Sequence, residues 1–417
     1  MKNKKIKEFA SLLNGYAFKS KNYVSAGIRI MRIANVKDGY ICDEQPCYYP
    51  EDTHEEIEKY MLKAGDMLIS LTGNVGRIGI MPANMLPAAL NQRVSCIRLK
   101  DDSVNKKYLF YFFQRKSFVQ DCIKASKGVA QLNLSTKFLE EYSVPVPPLS
   151  EQERIVARIE ELFSELDKAV ETLKTTKQQL TVYRQAVLKE AFEGSFTVHR
   201  SFDLELEWSS AEEIKSLPAI PKEWRYIALS KLGDLGRGKS KHRPRNDPKL
   251  FEDGKYPFLQ TREVKAAKQY ITEFSKMYGE FGLQQSKLWP KGTLCITIAA
   301  NIAETAFLGI DACFPDSVVG FSPYENIIPE YIKHFIESQK LRLWAFAPAT
   351  AQKNINLDTL ENLIVPYCSV EEQKDVIAEI EARMSTCNSI EKTVDTTLQQ
   401  AEAMRQSILK QAFEGRL

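Results

Sequence analysis

The sequence predicts an α+β fold: two globular domains joined by two long antiparallel coiled-coil helices, with internal pseudo-twofold symmetry. Three observations lead there. Glu151 to Phe192 contains neither Pro nor Gly and carries an apolar seam in alternating steps of four and three, the period of paired helices. The pattern returns 221 residues later, where "LKEAFEGSF" (Leu188–Phe196) becomes "LKQAFEGRL" (Leu409–Leu417), and the register holds without a gap back to Ser150. Ahead of each helical stretch lie short alternating segments broken by Gly, Asn and Pro, which read as strands and hairpins with a few helices.

The first globule spans 1–149. In it "KAGDMLISLTGNVGRIGI" (Lys63–Ile80) predicts strand, turn and strand, and Lys106–Ile123 predicts a helix. A central helix follows over 150–195. Ser150 is its expected N-cap, with Glu153 as capping-box partner, and Gly194 is placed to end it in a left-handed conformation. Its seam runs Ile155, Ile159, Leu162, Leu166, Ala169, Leu173, Thr176, Leu180, Tyr183, Val187. The second globule, 196–370, repeats the plan with "PKGTLCITIAANIAETAFLGI" (Pro290–Ile310) and a helix over Pro329–Trp344. The last helix, 371–417, has the seam Val376, Ile380, Arg383, Cys387, Ile390, Val394, Thr397, Ala401, Met404, Ile408, with Arg383 its one charged intruder. A helix of about 43 residues spans roughly 65 Å and needs a partner for such a stripe. The other copy is the expected partner; packing of each helix on its own globule is the alternative.

Composition limits what the chain can be. Its 417 residues exceed one ordinary core, and 44% apolar with 27% charged residues describes a soluble globular protein. No apolar run reaches 18 residues, and "MKNKKIKEF" lacks the apolar stretch of a secretory signal. The eight cysteines form no C-x-x-C pair and the four histidines lie far apart, so structural zinc is not expected and a reduced cytoplasm is the simpler location. Net charge is only +3, yet Leu229–Leu250 sets seven basic residues against Asp234 and Asp247. Placement of charge, more than its sum, marks a nucleic-acid binder.

The candidate contacts follow from that. Gly233–Ser240 matches G-x-x-x-x-G-K-[ST], but Pro244 and Pro248 oppose the helix a phosphate-binding loop must open. The preferred reading is a basic Gly-rich loop bringing Arg237, Lys239, Lys241, Arg243 and Arg245 to DNA phosphates and base edges. "TGNVGRIGI" offers Arg77, and "NQRV" offers Asn91, Gln92 and Arg93, types that read guanine and adenine, although such residues also serve ordinary turns. "KASKGVAQLN" and "ATAQKNIN" occupy matched places before the two helices and supply Lys124, Lys127, Gln131, Gln352 and Lys353. A shared structural turn is the competing reading. No Asp-Pro-Pro-Tyr or Asn-Pro-Pro-Tyr methylation tetrapeptide, F-x-G-x-G methyl-donor loop, HExxH or G-x-S-x-G occurs. No catalytic residue, metal ligand or cofactor of its own is therefore expected.

With these features the chain resembles the specificity subunits of Type I restriction–modification systems. "VPVPPLSEQERIVARIEELFSELD" (Val144–Asp167), "IPKEWRYIALSKLGDLGRGKS" (Ile220–Ser240), "GDMLISLTGNVGRIGI" (Gly65–Ile80) and the two "AFEG" ends carry the resemblance, which covers essentially the whole chain. It implies two target recognition domains, each reading one half of a split site in double-stranded DNA. The helices would be spacers docking two methyltransferase subunits, which bind S-adenosylmethionine and methylate adenine N6. Two motor-nuclease subunits using ATP and magnesium would join them. The first globule lacks the lead-in found before Trp224, so the C-terminal end is expected to complete its edge. Two other readings stay open: a nucleotide switch resting on Gly233–Ser240, and a coiled-coil scaffold resting on the helices.

Overall fold

The computed structural model describes residues 2–128, 131–202, 209–346 and 354–417. Contacts group the chain into two compact units, residues 1–174 with 394–417, and residues 175–393. The two long helices, Leu149–Phe192 and Val370–Phe413, have 44 residues each, and each contributes to both units.

In the first unit, strand Lys2–Lys5 pairs antiparallel with Ser143–Val146, the segment that leads into the first long helix. A four-stranded antiparallel sheet follows in the order Ala10–Asn14, Val94–Leu99, Met67–Ser70, Ile78–Ile80. A smaller sheet orders Tyr48–Tyr49, Ile28–Met31, Ala88–Leu90. The helix expected over Lys106–Ile123 is two, Lys106–Phe113 and Lys116–Ala125. Arg115 breaks it by adopting extended backbone, and its guanidinium sits 3.6 Å from the Phe112 ring centroid. The bend turns Phe112, Phe113 and Phe118 into one core, so burial, not a breaker residue, sets the break.

The second unit repeats the plan. Arg225–Ala228 pairs antiparallel with Ile364–Tyr367. The larger sheet has five strands, in the order Gly233–Arg237, Val318–Pro323, Leu294–Thr297, Thr305–Leu308, Tyr270–Ile271. The smaller orders Lys276–Tyr278, Tyr256–Phe258, Ala312–Cys313, Leu288–Trp289. The helix read over Pro329–Trp344 is again two, Pro329–Ser338 and Lys340–Phe346.

Within each unit the long helices run antiparallel, and Ile155 and Ile159 in the first unit and Val376 and Ile380 in the second also join the core of their own domain. In the first unit Arg405 pairs with Asp167, and Arg154 donates to the Leu417 carbonyl at 3.3 Å. In the second, Arg184 donates to Asn388 and Glu391, both at 2.8 Å. Ile155, Ile159, Val187, Val376, Ile380 and Cys387 are buried. Arg383 does not disrupt the seam, because its guanidinium stacks 4.2 Å from the Phe196 ring centroid and pairs with Glu379. Tyr183, Ile390 and Met404, read as seam positions, are exposed.

The helix ends show why the sequence repeats itself. Gly194 and Gly415 have φ of +80° and +73°, the left-handed closure that favours glycine. Phe192 packs on Tyr331 and Phe335 at 5.1 and 5.2 Å between ring centroids; Phe413 packs on Tyr108 and Phe112 at 5.0 and 5.3 Å. Each helix thus ends in the core of the unit where the other helix starts, and the C-terminal end does complete the first unit.

The starts differ from expectation. Ser369 caps the second helix, accepting the Glu372 N–H at 3.3 Å. The matching residue in the first copy is Pro148, whose carbonyl takes the Glu151 and Gln152 N–H groups at 3.0 and 3.1 Å. Ser150 therefore lies inside the first turn and is not the N-cap; the helix already begins at Leu149. The Glu-Gln pair shared by both starts is structural. Gln152 is fully buried, accepts the Asn105 N–H at 2.7 Å and donates to the Pro147 carbonyl at 2.8 Å. Gln373 repeats this, with the Ile328 N–H at 2.9 Å and the Cys368 carbonyl at 3.0 Å. Glu372 is also fully buried and accepts the Trp224 indole N–H at 3.0 Å, whereas Glu151 is half-buried and pairs with Arg154.

These anchors give a local prediction. Phe413→Ala lowers the stability of the first unit, and Phe192→Ala that of the second, by about 3–5 kcal/mol. Hydrogen exchange resolved along the chain checks it: protection falls around Tyr108 in one variant and around Tyr331 in the other.

Candidate nucleic-acid interface

The apparent phosphate-loop motif is explained by the sheet. Gly233–Arg237 is itself a strand, paired in register with Val319–Pro323. Gly238 follows at the strand's end, where a Cβ would lie 2.3 Å from the Pro315 carbonyl oxygen and 2.4 Å from that of Phe314. The next helical segment is the short 3-10 turn Pro248–Leu250. The motif therefore opens no helix whose N-terminus could hold a nucleotide phosphate. The first unit shows what the glycine does. Gly15 follows strand Ala10–Asn14, and a Cβ there would lie 2.2 Å from the Asn91 carbonyl oxygen and 2.5 Å from that of Leu90. In both units glycine lets the strand end press on the backbone that enters the next sheet strand.

That strand end gathers most of the candidates in the first unit. Asn91, Gln92 and Arg93 precede strand Val94–Leu99; Gln92 donates its N–H to the Tyr16 carbonyl at 2.9 Å, and the Arg93 carbonyl accepts from Leu71 at 3.0 Å. The Thr72–Asn74 turn leaves the same end. Thr72 bonds Asn133 at 3.0 Å and Gly73 donates to the Leu132 carbonyl at 2.9 Å, bringing in the loop that carries Lys127 and Gln131. Lys124 sits on the last turn of helix Lys116–Ala125 beside that loop. Gln92, Arg93, Lys124, Lys127 and Gln131 are all exposed, and Asn91 is half-buried with its side chain accepting the Arg93 N–H at 3.3 Å. Arg77 pairs through its backbone with Ser70 at this same strand end, its carbonyl accepting the Ser70 N–H at 2.9 Å and its N–H donating to Ser70 Oγ at 3.0 Å. Its guanidinium lies 3.3 Å from Asp38, in a cleft of about 1100 Å³ that Glu160, Asp167 and Glu171 also line.

The second unit places its basic loop at the same sheet end. Lys239 and Lys241 are exposed and make no ion pair among the described residues. Arg245 is held by both oxygens of Asp316 at 2.9 Å, and Arg237 donates to the Asp316 backbone carbonyl. Arg243 turns inward on the loop, donating to the Ser240 and His242 carbonyls at 2.5 and 2.9 Å. The His242 ring, 2.7 Å away, and the Lys249 N–H hold the Asp247 carboxyl below its usual range. Asp247 thus caps the turn at Pro248 through the Lys249 N–H at 3.0 Å. Gln352 and Lys353 lie outside the described residues. Asn354 beside them bridges to Ala299 as Asn133 bridges to Thr72.

Sequence reasoning missed Asp316, which arrives from 71 residues beyond Arg245. It also missed Arg32 and Gln260. Each follows a strand of the smaller sheet, and each has its N–H accepted at 3.0 Å by the residue three further on, Asn35 or Glu263. The parallel wording "MRIANV" and "LQTREV" was the available signal.

Two mixed domains built on one plan, each packed on the ends of both long helices, define a duplicated two-domain class of protein. The comparisons make this specific. The family model described as "Type I restriction modification DNA specificity domain" matches residues 1–181 and 221–400. The chain belongs to the Type I restriction–modification specificity family. It is 27% identical over 419 residues to the Type I restriction enzyme EcoBI specificity subunit of Escherichia coli, covering 98% of this chain and 84% of that one. Its fold is similar to a chain solved in work on complex assembly and conformational transition of the type I R-M system (TM-score 0.72, 18% identity, 100% and 98% coverage). It is also similar to the HsdS subunit from Thermoanaerobacter tengcongensis (TM-score 0.54, 18% identity, 100% and 97% coverage). Among the described residues no helix is long and apolar enough to cross a membrane.

Lys239 and Lys241 set a test. The double variant Lys239→Ala, Lys241→Ala weakens binding about equally on all duplexes and reduces the slope of log K against log salt by about two, roughly one per phosphate contact. Titrations at four salt concentrations measure it. ATP binding to the chain alone is absent before and after the change.

Proposed function

We propose that this chain is the non-catalytic specificity subunit of a Type I restriction–modification complex, acting in the cytoplasm on double-stranded DNA. Each unit reads one half of a bipartite site. The long helices set the spacer and dock two methyltransferase subunits, whose S-adenosylmethionine supplies the methyl group for adenine N6. Two motor-nuclease subunits, using ATP and magnesium, complete the restriction form. The chain itself contributes sequence reading and geometry.

One observation carries this reading: the same sheet end is built twice, on the same backbone contacts, with different side chains. Gln92-Arg93 in the first unit stands where Asp316-Ser317 stands in the second, in each case just ahead of the strand at Val94 or Val318. Arg32 likewise stands where Gln260 stands. A repeated frame with exchanged donors and acceptors is what two unlike half-sites require. The exposed apolar residues of the helices, Val182, Tyr183 and Ile390 in the second unit and Met404 in the first, support docking of protein partners there.

Mapping methylated adenines in host DNA, with and without this chain, tests the proposal. The expected result is one bipartite motif with unlike halves, lost when the chain is deleted; a continuous motif, or methylation that persists without the chain, ends it. Inserting or deleting residues in one long helix is expected to change the spacer, leaving both halves unaltered, from a starting separation of about 10 bp centre to centre. Altered halves with a constant spacer would contradict the role given to the helices.

A further inference from the structure

We infer that a small cleft in the second unit, walled by Arg245, Gln260 and Arg262, reads the edge of a purine, and that Asp316 is the positioning residue for Arg245. The inference rests on the function proposed above and names where that unit discriminates. The cleft has a volume of about 220 Å³, with Phe258 and Pro315 as its apolar lining. Three residues with fork-shaped side chains line it, Arg262 also lining the cleft that holds its partners Glu263 and Ser275. Guanidinium forks match the O6 and N7 acceptors of guanine, and the Gln amide matches N6 and N7 of adenine.

Two features separate this cleft from a plain phosphate contact. First, its arginines are already oriented. Asp316 grips Arg245 through Nη2 alone, so Nε and Nη1 spend no donor on the pair. Arg262 is held by Glu263 at 2.7 Å and by Ser275. Second, the carboxylates that orient them oppose a phosphate. Asp316 and Glu263 cancel much of the positive potential at this spot, while a neutral base edge pays no such repulsion. Lys239 and Lys241, with no carboxylate partner among the described residues, are the phosphate side of the same loop. Gln260 is fixed in place because Glu263 accepts its N–H at 3.0 Å at the start of helix Thr261–Ala266. In the first unit Arg32 occupies the matching position, with its N–H accepted by Asn35.

The test uses the complete complex with its methyltransferase subunits, acting on a library of duplexes randomised at the site. Gln260→Ala and Arg262→Gln are each expected to cut discrimination at one or two adjacent positions of one half-site, by roughly 5- to 150-fold. The other half-site and the salt slope stay as in the wild type. Asp316→Asn frees a positive charge: discrimination falls at the same positions, binding to unrelated DNA rises, and the salt slope steepens by about one. A uniform loss on all sequences with the consensus intact would overturn the inference, as would three variants that match the wild type. If the wild-type complex itself shows no bipartite preference, the proposed function fails as well, and that arm alone reveals it.

Discussion

Everything in this chain depends on how the long helices are anchored. A 44-residue helix with one apolar stripe has no stable place alone in water. Here each helix is held at its start by a buried glutamine and at its finish by a buried phenylalanine. Gln152 and Gln373 bond the backbone of the preceding domain on both sides. Phe192 and Phe413 then enter an aromatic pair in the unit that begins the other helix. The units therefore cannot be cut at the helix ends, because each core includes a terminus of both helices.

Away from the anchors the two domains differ more. The aromatic and glutamine positions recur with the same partners, while the far sheet ends share only backbone contacts. Gly15 and Gly238 make the same close approach to carbonyl oxygens, yet the residues around them differ in charge and in hydrogen-bonding pattern. A frame fixed by backbone and aromatic packing, with different side chains on the rim of each copy, suits the two half-site readings proposed above.

Much of this was legible in the sequence, and the failures have physical causes. The helices and the glycine closures follow from periodicity and from the repeat. Ser150 is no cap because the helix starts one residue before it, the Pro148 carbonyl already taking the Glu151 and Gln152 N–H groups. The single helix read over Lys106–Ile123 failed because burying Phe112, Phe113 and Phe118 together outweighs the continuous pattern; no breaker residue announces it. Charge counted along the chain marks the basic stretch but not the partner of Arg245, because only folding brings Asp316 near. Residue type alone selects Arg77, and it says nothing of Asp38, the partner that folding sets 3.3 Å from its guanidinium. Strands such as Leu288–Trp289 and Ala312–Cys313, two residues each, are too short to carry a period.

If reading resides in the domains and is carried separately by each, exchanging one domain exchanges one half-site. The most direct measurement replaces residues 225–367 with a second copy of residues 2–146, keeps both long helices, and maps methylated adenines made by the reassembled complex. The account predicts a site with two copies of the first half and the original spacer. Retention of the original unlike halves would contradict it.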